Sequence, residues 1–305
     1  MKKKRKLAGL LLAGLALTGC STESGTAAPE NQVASETFEV PFDGELSHVH
    51  GMGYAGNDGG LYFASHSGLK IYREGKWLET AGNFHDYMGF NAVDEGFFTS
   101  GHPSANSDLP NPLGIQRSND GGETIEEVAF EGETDFHAMA VGYNSHDILL
   151  VNPAKNSLLE AGIHRSGDAG KTWGPVKAAG LTGEVAGLAI HPEDSEYMAA
   201  ATSTGIHLSK DAGANFQKLT EEEMGTAAAF TKKHLYYASF GTAATLMKYT
   251  IENGKVEELK LPEMKEDAIA FIAQNPADEL ELAIYTFRGD AFLSKDGAQT
   301  WKSMR

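Results

Sequence analysis

The sequence predicts an all-β fold, a six-bladed β-propeller, and three observations point to it. From about residue 37 the chain is a succession of short β-rich runs, among them LYFASH, GFFTSG, DILLVN, YMAAAT, LYYASF and LELAIYTF. Glycine and polar turns separate them, and no long amphipathic helical pattern intervenes. One eight-residue pattern then occurs four times: Ser118-Asn-Asp120-Gly-Gly122-Glu-Thr124-Ile125, Ser166-Gly-Asp168-Ala-Gly170-Lys-Thr172-Trp173, Ser209-Lys-Asp211-Ala-Gly213-Ala-Asn215-Phe216 and Ser294-Lys-Asp296-Gly-Ala298-Gln-Thr300-Trp301. Its spacing is regular: 48 residues from Ser118 to Ser166, 43 to Ser209, and 85 to Ser294, the last being two steps. A period of about 40–45 residues is the length of one four-stranded blade.

The elements follow in chain order. Residues 1–6 read MKKKRK and are followed by 13 uncharged, mostly apolar residues. A basic head and an apolar run too short to span a bilayer read as a secretory signal, residues 1–19. The run ends Leu17-Thr18-Gly19-Cys20, which looks like a bacterial lipobox; that resemblance implies that Cys20 is lipidated and becomes the mature N-terminus. Residues 20–36 are small and polar and read as a lipid-attached tether. Residues 37–305 are left for the propeller. Stepping one period back from Ser118 reaches Arg73-Glu-Gly75-Lys-Trp77, and the missing step before Ser294 reaches Glu252-Asn-Gly254-Lys, both turns between strand-like runs. The count is six blades, with Thr37–Phe42 expected to add a closing strand to the last of them.

The repeat resembles the BNR or Asp-box motif, S-x-D-x-G-x-T-W, of sialidase- and sortilin-type propellers. The resemblance places each copy at the turn between the third and fourth strands of a blade, with Asp120, Asp168, Asp211 and Asp296 as structural residues that accept turn N–H groups. Ile125 and Ala298 depart from the pattern. Across the whole chain after Cys20 the sequence resembles bacterial glycosylhydrolase-like lipoproteins. The segments that carry this are His48-Val-His50-Gly51, Asp86-Tyr-Met88-Gly89-Phe90, Ser100-Gly101-His102-Pro103 and Asp135-Phe136-His137-Ala138.

Composition excludes several functions. With 42 acidic against 25 basic side chains the formal charge is -17, so the chain offers no basic surface to nucleic acid. Residues 1–19 hold five of the basic groups, so the remainder is more acidic still, and membrane attachment rests on the acyl chains rather than on charge. A single cysteine excludes an internal disulfide and any Cys-based zinc or redox site. No GxSxG elbow or Walker loop is present. After residue 19 the only arginines are Arg73, Arg117, Arg165, Arg288 and Arg305, and only Arg288 falls in a turn on the candidate face. The three-arginine clamp of a sialidase therefore cannot be assembled.

In an antiparallel meander the fourth-to-first and second-to-third connections share one face of the ring. Alignment of the innermost strands brings His48, His50 and Met52, then Asp86 and Met88, then Asp135, His137 and Met139 to that rim. His66 and His102 end second strands there, and His85 adjoins Asp86. His146 and His191 fall in turns of the other face and read as solvated. Blades 4–6 offer Ala186, Glu184, Asp267 and Arg288 instead.

Four readings of the rim are open. The Met column plugs the channel and the histidines are ordinary polar residues. Alternatively His48, His50, His66 and His137, with Met52, Met88 and Met139, bind copper, a His/Met mixture suiting copper better than zinc, calcium or magnesium. A third reading is a glycoside hydrolase with Asp86 and Asp135 as acid and base and His48, His50, His66, His85, His102 and His137 as ligand contacts, Glu184 and Asp267 being further candidate carboxylates. The fourth is a protein-interaction platform. The expected protein is an extracytoplasmic, membrane-anchored monomer that takes a small ligand, a metal ion or a glycan.

Overall fold

A computed structural model describes residues 37–221 and 223–305; the expected signal segment, Cys20 and the expected tether lie outside the described residues. No helix occurs among the described residues. After a short first strand, β1 (Glu39–Pro41), blade 1 comprises β2 (Val49–Tyr54), β3 (Leu61–Ser65), β4 (Gly68–Arg73) and β5 (Lys76–Thr80). Blade 2 is β6 (Asp86–Val93), β7 (Gly96–His102), β8 (Ile115–Ser118) and β9 (Glu126–Ala129), and blade 3 is β10 (Met139–Val141), β11 (Ile148–Asn152), β12 (Gly162–Ser166) and β13 (Gly174–Pro175). Blade 4 follows as β14 (Val185–Ile190), β15 (Met198–Thr202), β16 (Gly205–Ser209) and β17 (Phe216–Lys218). Blade 5 is β18 (Met224–Phe230), β19 (His234–Phe240), β20 (Ala244–Thr250) and β21 (Val256–Glu258). Blade 6 is β22 (Ile269–Asn275), β23 (Asp278–Thr286), β24 (Ala291–Ser294) and β25 (Lys302–Ser303). In every sheet the four blade strands form an antiparallel meander in chain order, six blades in all.

Each blade is sandwiched between its neighbours, which is why second strands such as β3 and β15 are buried along their whole length rather than on alternate residues. Tyr62, Leu69, Tyr87 and Phe97 pack blade 1 on blade 2, and Phe98, Ile115, Phe136 and Ile148 pack blade 2 on blade 3. Each fully buried side chain of this size stabilises the fold by about 1.5–3 kcal/mol.

The four repeated turns share one hydrogen-bond network. In the second copy Ser166 Oγ donates to Asp168 Oδ1 (2.8 Å) and accepts from Gly170 N (2.8 Å), while Thr172 N and Oγ1 donate to the two carboxylate oxygens at 2.8 and 2.7 Å. Asp120, Asp211 and Asp296 are held the same way, with Asn215 Nδ2 in place of a threonine hydroxyl in the third copy. The threonine hydroxyl and backbone N–H groups hold the Asp168 and Asp296 carboxyls down at about 2. Two consecutive residues of each turn have positive φ, Ala169 and Gly170 at 56° and 90°; Ala298 adopts 67° where the other copies have glycine.

Two expectations are corrected. Residues 37–42 do not close the last blade. β1 pairs with β5 as a fifth strand of blade 1, Glu39 opposite Thr80, and Arg73 fixes it through ion pairs to Glu39 (2.7 Å) and to Asp58 on the adjoining turn. Blade 6 already has four strands, and the ring closes through side chains: Phe63 meets Tyr285 and Trp77 Nε1 donates to Met304 O (2.7 Å). His146 and His191 are not free loop residues. His191 is buried and its Nδ1 accepts from Glu193 N and Asp194 N, while His146 Nε2 bonds Asp94 Oδ1 at 2.6 Å, so each locks a turn.

Candidate functional site

The six innermost strands surround a central channel of about 220 Å³. Five of them carry a register shift toward the end at which they enter the ring: between Val49 and Gly51, Met88 and Asn91, Val185 and Gly187, Gly225 and Ala227, and Ile269 and Phe271. A bulge sets an extra residue into the strand and re-aims it. The residues skipped in blades 1, 4, 5 and 6 are His50, Ala186, Thr226 and Ala270, and all four line the channel. The same backbone device therefore presents an imidazole in blade 1 and small side chains in blades 4–6.

Around His50 three donors converge. Its Nε2 lies 3.1 Å from His66 Nε2, and His66 Nδ1 lies 2.7 Å from Asp86 Oδ1. One ligand atom from each of the three residues falls within 4.8 Å of the others. His66 comes from the short turn between β3 and β4, Asp86 from the first position of β6, and the His48 ring, at a positive φ, lies 4.9 Å from that of His66. Asp86 Oδ1 is enclosed yet accepts no hydrogen bond; its approach to His66 has the distance of an ion pair without hydrogen-bond geometry. Burial, and then the charge on His66, lowers the proton affinity of His50 below that of ordinary imidazole; His137 and His48 act in the same direction and Asp86 opposes them. The lowered proton affinity favours the neutral ring, which is the ligand form.

A second group faces the same mouth. Asp135 Oδ2 lies 2.6 Å from His137 Nε2 and 3.3 Å from His102 Nε2. Ser100 Oγ donates to the other carboxylate oxygen (3.3 Å) and accepts from Phe136 N, and Asn111 Oδ1 lies 2.7 Å from His102 Nδ1. Ser100 and Asn111 were not singled out from the sequence, although Ser100 stands inside the Ser-Gly-His-Pro segment. Met52 and Met139 line the channel.

Two candidates leave the set. His85 is buried, accepts from Ser104 N through Nδ1 (3.0 Å) and stands edge-on to Tyr87, with burial lowering its pKa; it braces the loop after β7 and is not presented at the mouth. Met88 is buried and does not line the channel, because the bulge begins there and Gly89 turns into the left-handed region at φ 53°. On the far side of the mouth, Asp267 Oδ1 accepts from Ala268 N and Arg288 N, and Arg288 reaches Lys265 O, so both serve their own loops.

Two imidazoles and a carboxylate are a nitrogen–oxygen donor set suited to a divalent transition metal. Metal–nitrogen bonds of about 2.0–2.1 Å at tetrahedral to right angles put two ligand nitrogens about 2.9–3.4 Å apart, and the His50–His66 separation of 3.1 Å lies in that range.

No family model and no curated protein matches the sequence. Among solved structures the chain is similar to YCF48 bound to D1 peptide, at 14% identity and a TM-score of 0.51 over 87% of this chain and 83% of that one. It is similar to a chain of the Nidogen/Laminin complex, at 13% identity and 0.57 over 81% and 92%. An ancestral GH74 enzyme gives 12% and 0.51 over 88% of this chain, which spans only 40% of that enzyme's chain. At such identities what is shared is the architecture, and it is that of a β-propeller.

Proposed function

We propose that this protein is a lipid-anchored, extracytoplasmic propeller that binds a divalent transition-metal ion at the channel mouth, through His50, His66 and Asp86. The observation that carries the reading is the convergence of these donors around an enclosed carboxylate oxygen that accepts no hydrogen bond. The contact of that oxygen with His66 Nδ1, at 2.7 Å, lacks hydrogen-bond geometry, so its desolvation is only partly offset, and a bound cation would complete the compensation. Copper is the first candidate, since divalent copper stands highest in the affinity order for such donors. With two imidazoles and a carboxylate at the centre, the set favours Cu(II) over Cu(I). His48 and His137 are the nearest further donors, and Asp135 with Ser100 orients His137 from behind.

The fold itself does not choose among functions, because the propellers similar to it include an enzyme and proteins captured with a peptide or a protein partner. The side chains at the mouth carry the choice. Titration of the purified protein with Cu(II) and Zn(II) tests it: one equivalent is expected to bind, and His50→Ala is expected to abolish uptake. Uptake unchanged in His50→Ala and in Asp86→Asn would overturn the reading. Hydrolysis of a glycan that Asp135→Asn stops without altering metal content would favour the glycosidase instead.

A further inference from the structure

The strand order decides on which face the chain enters the propeller. β1 runs antiparallel to β5, with Glu39 opposite Thr80 and Pro41 opposite Leu78, and Ala81 N donates to Phe38 O. β5 ends at the connection to blade 2, on the mouth face, so Thr37 enters beside that connection. The 17 residues from Cys20 to Glu36 span no more than about 60 Å even fully extended, and a short tether raises the local concentration of lipid at the face it leaves.

Of the six exposed large apolar side chains among the described residues, four stand on that face, and Val256 and Leu280 lie beside turns of the other. Phe84, Leu158, Met224 and Phe287 are 49%, 72%, 44% and 65% exposed. Phe84, Leu158 and Phe287 stand on three connections of the mouth rim, in blades 1–2, 3 and 6, and Met224 opens β18 of blade 5. A protein interface gathers its apolar groups into a central core ringed by polar residues. Separate side chains set around a polar mouth fit a surface that yields to each of them, and the interface of a bilayer is such a surface. The chain's charge of -17 disfavours anionic headgroups.

We propose that the mouth rim docks on an uncharged phospholipid surface through Phe84, Leu158, Met224 and Phe287, so that the His50–His66–Asp86 site opens toward the membrane that holds the protein. The proposal rests on the lipid-anchor reading of Cys20.

All three tryptophans serve as an internal control. Trp77, Trp173 and Trp301 directly follow turns of the opposite face. The acylated full-length protein is reconstituted on vesicles of brominated phosphatidylcholine, whose bromines quench nearby indoles. Wild-type emission should match that on unbrominated vesicles, and the emission added by Phe287→Trp should be largely lost. Leu158→Trp, on a separate connection, should behave alike and guards against a local disturbance at one site. Quenching of the native tryptophans, or full emission from both added ones, would overturn the proposal; the second outcome would leave the rim to a protein partner. A parallel sample is coupled through the Cys20 thiol to a maleimide lipid. It reports the orientation even if mass analysis finds no acyl group, so failure of the anchor and failure of the docking are told apart.

Discussion

The two faces of the ring are built by opposite rules. On one, four turns each close a network among residues at most six positions apart, every carboxylate oxygen is satisfied, and the pattern repeats from blade to blade. On the other, His50, His66 and Asp86 come from an inner strand, a turn and the start of the next blade, the bulges recur but the side chains they present do not, and one enclosed carboxylate oxygen accepts no hydrogen bond. A self-sufficient turn stabilises the blade that contains it and can be copied. A site assembled across blades is specific to its place in the ring and contributes little to holding the ring together. Stability and ligand binding should therefore respond to separate sets of substitutions.

The largest expected effect tests that separation directly. His66→Ala should eliminate stoichiometric metal uptake, because His66 joins the other two donors, while leaving the melting temperature of the metal-free protein close to wild type; its side chain is 44% exposed. Calorimetric titration and a thermal melt on the same sample decide it. A large loss of stability in His66→Ala would mean that the mouth is structural after all.

Glycine substitutions on the turn face should show the reverse, graded by space. Gly96 has φ 84°, and a Cβ there would lie 1.9 Å from Ser118 O, so neither conformation nor room permits a side chain. Gly96→Ala should cost about 3–5 kcal/mol in denaturant unfolding with metal affinity unchanged. Gly75 has nearly the same φ, 79°, and nothing near its absent Cβ. Gly75→Ala should cost only about 1 kcal/mol, the conformational part alone. Equal effects would show that packing at Gly96 relaxes freely.

The same contrast explains what could be read in the sequence. The blade count, the four turns and both degenerate turns at Gly75 and Gly254 were legible because each depends on residues close in sequence. The position of β1 was not: a three-residue strand can pair with either exposed edge, and ion pairing of Arg73 with Glu39 and Asp58 is visible only in three dimensions. The histidine segments do share one face, since meander topology fixes which connections lie together. Strict alternation then failed where bulges interrupt it, which is why Met88 was placed in the channel wall. His85 and His50 look alike as letters; one is enclosed against Tyr87 and the other is aimed into the mouth by a bulge.

A smaller effect probes the turn network from within. Ser166 is buried and its hydroxyl makes two good hydrogen bonds, to Asp168 and from Gly170 N. Ser166→Ala leaves that N–H without a partner and should cost about 1–3 kcal/mol. Ser209→Ala, in an equivalent network, should match it within error. A clear difference between the two would mean that the copies are not energetically equivalent despite their shared geometry.

The smallest effect is one of charge, and its pH dependence identifies it. Asp168 is only partly buried, yet its carboxyl is held at about 2 by the hydroxyl of Thr172, by backbone N–H groups and by Ser166, below the value of about 3.9 in an unfolded chain. A carboxyl whose folded pKa is depressed contributes stability that is present above the unfolded value and fades as the pH falls through the folded one. Asp168→Asn keeps one oxygen acceptor but turns an amide toward Thr172 Oγ1, which donates to Asp168 Oδ2 at 2.7 Å in the wild type. The variant should therefore be less stable than wild type at pH 6, by a margin that is constant down to about pH 5 and narrows between about pH 4 and pH 2. Paired denaturant midpoints across that range measure the margin. If it stays flat to pH 2, the carboxylate's charge does not stabilise the turn, and the network acts through its geometry alone.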